Sequence, residues 1–542
     1  MSRRRVVGLL FAAVVIAAAI ITVGIWPAPS TVPLGRWEYI KGDSSPRETP
    51  WLTRQAEPSS LVKDADWLSR LPKVDARWTR FVARTVFRHK KTDGPVYYEL
   101  EAHWPANTRG RVWLNGQELT GPCQGLFYDV IPGIDPNLLR DGPNVLTVAA
   151  EVYTEDVDAA VQADRRVKPL SMTLCPQVAT ELDLLIGPLF GWFDQKTFTV
   201  GMLANMPAEW SVTLDKPGFT VKPLRTEPGF YQTFEISRPP GDVEPLLAPL
   251  RPAVTVHARL PGRKQWQVER TGKGTVGPLG PRWSFVALGD NRTEPERWKS
   301  VITAAARRNP AFLVHSGDFV AEGRDFELWK DEFWQPAEPQ LLTLPLYGVL
   351  GNHEDDSALF DKILTLHGTR NCWTQTQGPL LLIGIDGAQD WSPTSELYVG
   401  LETLLKGSRA KFILLFSHYP PLSSSRHSTL NEAGEYIDPD MRRAHKYLLP
   451  LCVKYHVTAY VAGHEHCYER TDFPGLTVLT SGGGGAPSYP QARDPETRNP
   501  YSKVYYAGLH YLFFTVAPDE LRVQAFTPEG RLLDTLAWKP RP

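Results

Sequence analysis

The chain has 542 residues, too many for one ordinary domain, and about three compact units are expected. Lys+Arg 59 against Asp+Glu 60 leaves a net charge of -1, which excludes the basic field of a general nucleic-acid binder. A composition 42% hydrophobic and 22% charged is globular, and Trp 17 with Pro 48 favours β-rich modules with many turns.

At the N-terminus Arg3, Arg4 and Arg5 precede an uncharged apolar run, Val6 to Trp26, long enough to cross a bilayer and flanked by the charges expected on the cytoplasmic side. Residues 1–30 therefore read as a membrane anchor or a signal segment. Trp26-Pro27-Ala28-Pro29 is a poor cleavage site, which favours the anchor. The remainder is expected outside the cytoplasm, anchored, or secreted or periplasmic after cleavage. Residues 31–66, rich in Pro, Ser and charge without periodicity, read as a linker.

From Trp67 the texture changes to strands. Val96 to Trp104 and Arg111 to Leu114 are β-branched and aromatic, Asn115-Gly116 is a hairpin turn pair, and a second turn, Asp141-Gly142, precedes Asn144 to Val148. Residues 67–170 read as an antiparallel β-sandwich, and the succession WLNGQEL, then LLRDGPNVLTV, resembles the jelly-roll modules attached to secreted glycoside hydrolases. Two roles stay open: a packing spacer whose tryptophans are core, or a carbohydrate-binding module with Trp104 and Trp113 stacking on sugar. Residues 171–278 carry a second β-rich stretch, GPLFGWFDQKTFTVGMLANMPAEW, that resembles a fibronectin-III-like domain. Gly277 to Arg282, with its prolines and glycines, marks a boundary. Cys123, Cys175, Cys372, Cys452 and Cys467 show no CxxC spacing, so neither a zinc ribbon nor a dense disulfide scaffold is indicated, and no pairing follows from spacing.

Residues 279–542 alternate short apolar strands with helical stretches, the signature of an α/β domain with catalytic loops at strand ends. Five such ends deliver metal-competent side chains: Gly289-Asp290-Asn291-Arg292, Gly317-Asp318, Gly351-Asn352-His353-Glu354, Ser417-His418-Tyr419-Pro420 and Gly463-His464-Glu465-His466. Two divalent ions sharing one carboxylate, with oxygen and imidazole donors around them, can clamp a phosphate for in-line attack. A glycine before each of Asp290, Asp318, Asn352 and His464 lets the chain turn where the strand stops. Any one junction is weak evidence, since a lone histidine is more often structural than a ligand.

The ordered set GD, GD, GNHE, SHYP, GHEH resembles the calcineurin-like metallophosphoesterase superfamily across residues 283–542, and the string GHEHCYER is similar to the GHxHxYER segment of its purple acid phosphatase branch. The resemblance implies two packed β-sheets flanked by helices, and hydrolysis of a phosphate ester at a dinuclear centre with a bridging hydroxide as nucleophile. By the same carry-over, Asp318 would bridge the two ions, Asp290 and His466 would complete the first, and Asn352, His418 and His464 would bind the second. His353 would protonate the leaving group, with Glu354 either orienting it or lying on the surface. Mixed N and O donors without thiolate suit Mn, Fe, Zn or Co.

Two positions depart from the family pattern. Ala321 stands where the purple branch has tyrosine, so no phenolate is available there, and Arg292 stands where many relatives have histidine, leaving the first position one ligand short. Arg292 could hold a phosphate oxygen or pair with Glu294; Asn291 and His427 are further substrate-binding candidates. His315 reads as packing, Cys467 points away from the ligands, and the Asn291-Arg292-Thr293 sequon is coincidental. The SGGGGA loop, Ser481 to Ala486, either approaches the ligands closely or acts as a lid. His510 to Val516 and Leu521 to Phe526 read as a final hairpin covering the sheet. The competing reading from another class is an exported binding or adhesion protein with an inactive phosphoesterase domain. The expected partners of the chain are a phosphorylated substrate, carbohydrate at the N-terminal module if that module binds sugar, the membrane through residues 6–26, and no nucleic acid.

Overall fold

The computed structural model describes residues 32–34, 38–41, 54–55, 78–90, 96–103, 108–119, 123–124, 129–134, 138–153 and 171–178, together with 181–541 apart from 195, 227, 239–248, 278, 324–327, 355–357, 365–367 and 370. Val6 to Trp26, most of the 31–66 linker and Trp104 lie outside the described residues. No described helix is long and apolar enough to cross a membrane. The chain divides into two compact units, 1–119 with 125–181 and 120–124 with 182–542.

In the first unit, strand alternation buries Leu100, Val112, Leu114, Leu146, Val148 and Leu174 from two sheets. Trp78–His89 pairs antiparallel with Gly142–Tyr153, and Val96–His103 with Ser171–Val178, so the latter strand closes this unit. Asn115 (φ 52°) and Gly116 (φ 85°) make the hairpin turn expected of them. The Asn115 side chain also reaches the second turn: its Nδ2 donates to Asn144 Oδ1 at 2.8 Å and its Oδ1 accepts from Val145 N at 3.0 Å. The two turn motifs are thus one structure. Trp113 is half-buried.

The second unit opens with a six-stranded antiparallel array, Leu184–Phe193 through Val268–Gly272, organised on the long strand Thr197–Leu214. Its core is continuous with that of the following α/β domain. The Phe193 ring lies 6.2 Å from Phe312 and 6.2 Å from Tyr347, and its carbonyl accepts from Gln375 Nε2 at 2.7 Å.

Two sheets stack in the α/β domain. In the first, Trp283–Leu288, Leu313–His315 and Leu346–Gly348 run parallel, which their near-continuous apolar sequence requires because both faces are covered. In the second, Leu380–Ile385, Phe412–Phe416, Ala459–Ala462 and Leu476–Ser481 are also parallel. Phe412, Leu414 and Phe416 face the inter-sheet core with Phe285, Phe312 and Phe514, while Ile413 and Leu415 face an outer helical layer. The helix Pro295–Ala306 buries Trp298, Val301, Ile302 and Ala305, the i, i+3, i+4, i+7 stripe of one face, and starts on proline where a missing N–H costs nothing. Glu396–Gly407 is capped by Ser395, whose side chain accepts from Tyr398 N.

The C-terminal strands correct one expectation. Tyr511–Ala517 pairs directly with Trp283–Leu288, and Glu520–Phe526 and Leu532–Trp538 follow it, so the hairpin extends the first sheet in its plane instead of covering it. Phe285 stacked on Phe514 at 4.7 Å stabilises that junction.

Candidate metal centre

The parallel strands of both sheets end on the same side, and the chain turns there through left-handed backbone at Asp290 (φ 61°), Asp318 (φ 58°) and His464 (φ 69°). L-residues seldom adopt this region, and it persists only where surrounding contacts enforce it. Here Asp290 N donates to Gly317 O, Asp318 N to Glu354 Oε2, and His464 N to both Asp290 carboxylate oxygens. A Cβ on Gly351 would collide with Asp318 Oδ1, and one on Gly463 with Asp290 Oδ2, so glycine is required for close approach.

Ligand-competent atoms of Asp290, Asp318 and His466 lie within 4.8 Å of one another, all buried. On the other side of Asp318, His418 Nε2 is 3.4 Å from Asp318 Oδ1, and Asn352 Oδ1 lies 3.0 Å from His418 Nε2 and 3.1 Å from His464 Nδ1. Asp318 therefore stands between two groups, each drawn from the strand ends of both sheets.

Proton positions follow from what the outer ring nitrogens meet. His418 Nδ1 faces Ser316 O at 2.8 Å and His466 Nδ1 faces Pro487 O at 2.7 Å; a carbonyl can only accept, so both Nδ1 atoms carry the hydrogen. His464 Nε2 meets Asp438 Oδ2 at 3.1 Å. The inner nitrogens of His418 and His466 thus present lone pairs toward carboxylate or amide oxygen, and His464 Nδ1 faces Asn352 Oδ1. Burial pushes His418 down to about 4 and His466 down to about 3, keeping both neutral. Burial and the Asp318 charge push Asp290 well above the usual carboxylate range, because two buried carboxylates cannot both ionise beside each other unaided. A convergence of acceptor atoms is what a divalent cation relieves, and two carboxylates, one amide and three imidazoles suit metals that accept N and O donors.

His353 stands at the rim. Its Nδ1 donates to Ala321 O at 2.6 Å, its backbone N donates to Asp318 Oδ1 at 3.1 Å, and Nε2 lies 3.9 Å from Asp318 Oδ2. Arg292 Nε donates to Asp318 Oδ2 at 3.2 Å, so the guanidinium joins the centre and not Glu294. His427 stacks on His464 with ring centroids 4.4 Å apart, its backbone N donating to Glu465 Oε1. Asn291 is otherwise disposed than a phosphate contact would need: it is buried, its Nδ2 donates to Phe319 O at 2.9 Å, and its Oδ1 faces His315 Nε2 at 2.7 Å. The same burial leaves the sequon inaccessible. His315 packs on Phe319 at 3.8 Å, as a structural histidine does. The SGGGGA loop is a close packing element: a Cβ on Gly484 would meet Gly289 O, and one on Gly485 Asn291 O, each at 2.5 Å.

The structure gives Glu354 a role that sequence did not suggest, and adds two residues, Asp438 and Tyr489. Glu354 neither orients His353 nor lies on the surface; fully buried, it accepts backbone N–H groups from Asp318, Phe319 and Gly351 at 2.8 Å each and from Val320 at 3.4 Å. It ties the Asp318 loop to the Asn352 loop. Asp438 precedes Pro439 and caps a short helix, a signal legible in sequence, but its bond to His464 is not. Tyr489, whose ring stacks 4.0 Å from His466 and faces Arg426 at 4.9 Å, comes from a loop without a motif.

The family model described as calcineurin-like phosphoesterase matches residues 284–468, and the α/β domain of this chain is a calcineurin-like phosphoesterase domain. Among solved structures, the fold is similar to that of the purple acid phosphatase PPD1 from yellow lupin (Lupinus luteus) seeds, with TM-score 0.55 and 14% identity over 85% of this chain and 93% of that one. A structure named PhoD aligns with TM-score 0.46 and 11% identity over 67% of this chain and 92% of that one. No curated protein matches the chain.

Proposed function

We propose that the chain is a metal-dependent hydrolase of phosphate esters. The observation that carries this reading is the convergence of Asp290, Asp318, Asn352, His418, His464 and His466, with each imidazole's outer nitrogen anchored on an oxygen so that its inner nitrogen faces the centre. Asp290, Asp318 and His466 would hold one divalent ion and Asp318, Asn352, His418 and His464 the other, drawn from Mn, Fe, Zn or Co. When bound, such a pair supplies an activated water and neutralises charge on the phosphoryl oxygens.

The chain's own residues do the rest. With Nδ1–H anchored on Ala321 O, His353 directs Nε2 into the cleft, where it would give a proton to the departing ester oxygen. Arg292 and His427, at the rim beside Asp318 and His464, would receive the phosphate's outer oxygens. Export, with anchoring through Val6 to Trp26, completes the proposal.

The test is metal content together with hydrolysis of p-nitrophenyl phosphate and bis-p-nitrophenyl phosphate by protein lacking residues 1–30, after reconstitution with Mn, Zn or Fe. Two metals per chain are expected, with kcat falling about 100-fold or more in His353→Ala and metal lost in Asp318→Ala. Failure to bind metal under any reconstitution would refute the enzyme and leave the binding-protein reading standing.

A further inference from the structure

The three imidazoles of the centre do not hand their outer protons to equivalent partners. His418 and His466 donate to the neutral carbonyls of Ser316 and Pro487, whereas His464 Nε2 lies 3.1 Å from a carboxylate, Asp438 Oδ2. A carboxylate acceptor fixes the ring plane and tautomer and makes the opposite nitrogen a stronger donor than a carbonyl partner does. Asp438 is itself held for this task. Its Oδ1 accepts from Asp440 N and Met441 N at 2.9 Å each, which leaves Oδ2 for His464. The carboxylate is 18% exposed and the imidazole 8%, so bulk water screens the pair little.

The other half of the centre carries the opposite bias. Arg292 lies 3.2 Å from Oδ2 of the shared Asp318, and its fixed positive charge also bears on Asp290 and His466. A cation there meets electrostatic opposition and a histidine backed only by a carbonyl.

We propose that Asp438 is a positioning residue for His464, and that through it the Asn352–His418–His464 position binds its cation more tightly than the Asp290–His466 position. The inference rests on the metallophosphoesterase reading. It adds an order of loading and names the residue that sets it.

The experiment is titration of chelator-stripped protein with Mn(II) and with Zn(II), followed by calorimetry and by competition with a chromophoric chelator. Wild type is expected to show two stages. Asp438→Asn should weaken the tighter stage 10- to 100-fold, about the range for loss of such a partner, and leave the weaker stage unchanged. Asparagine caps a helix as well as aspartate does, yet it would offer either an N–H to His464 Nε2, driving the proton onto Nδ1 where the cation belongs, or the oxygen at the expense of the cap. Asp438→Asn should therefore harm binding at least as much as Asp438→Ala, as a carboxylate-to-amide change does where it enforces the wrong tautomer. A purely capping Asp438 gives the reverse order, with Asn harmless and Ala harmful, and that result overturns the proposal. So does loss confined to the weaker stage, or a wild type that loads two ions in one indistinguishable stage. The thermal midpoint of each stripped variant separates a misfolded protein from a mispositioned imidazole. Wild type that takes up no metal defeats the underlying reading instead.

Discussion

At the scale of single residues, the centre depends on Glu354 as much as on any group facing the cleft. Its two oxygens receive four backbone N–H groups from the loops that carry Asp318 and Asn352. Burial and the Asp318 charge push its carboxyl up to about 8, against the pull of those donors. Removing the side chain strands buried donors that cost roughly 1–3 kcal/mol each. Glu354→Ala should therefore lose on the order of 3 kcal/mol or more in denaturant unfolding. Glu354→Gln, which keeps one acceptor oxygen, should lose distinctly less, and equal losses would mean that the hydrogen bonds are not the cause. The side chains whose convergence could be anticipated from sequence are those with a local signal. Asp290, Asp318, Asn352, His418, His464 and His466 each follow an apolar strand, and the spacing of such ends is visible along the chain. Asn291 misled because its side-chain direction is set by His315 and Phe319, which are adjacent only in three dimensions.

At the scale of elements, the same residue type has opposite value in different places. Gly484 lies where a loop crosses the end of Trp283–Leu288; its N donates to Gly289 O at 2.9 Å, and an added Cβ would meet that oxygen and the Asn291 side chain. Gly400 is exposed inside the helix Glu396–Gly407, with nothing within 4 Å of the same added atom. Gly484→Ala should destabilise by about 1–3 kcal/mol through overpacking, while Gly400→Ala should stabilise by up to about 1 kcal/mol through helix propensity. Thermal unfolding of the two variants side by side checks both signs. Sequence could state that the SGGGGA loop was either packed or mobile but could not choose, since the choice depends on the strand it crosses. The final hairpin was misplaced for a similar reason: alternation shows that a strand has a buried face, not which edge it pairs with.

At the scale of the whole second unit, residues 182–276 are not an appendage. Phe193 inserts its ring toward Phe312 and Tyr347 and holds Gln375 through its carbonyl, so one core runs from the antiparallel array into the phosphoesterase domain. Phe193→Ala should cost about 3–5 kcal/mol. The loss should appear equally in hydrogen exchange of Thr197–Leu214 and of Phe412–Phe416; protection lost only in the former would show the two parts to be separable. The described residues between Val276 and Trp283 form no helix or strand, yet composition cannot report that the faces on either side of them are shared.

The strand ends that carry the centre belong to two different sheets: Asp290, Asp318 and Asn352 to one, and His418, His464 and His466 to the other. Neither sheet alone holds more than half of the donors, so the donors converge only after the sheets have closed on each other. Such a centre cannot nucleate the polypeptide around an ion in the way a small zinc-stapled domain does. It is instead a late reporter, and metal capture during refolding would trail the recovery of buried tryptophan fluorescence, timing the moment at which the two halves meet.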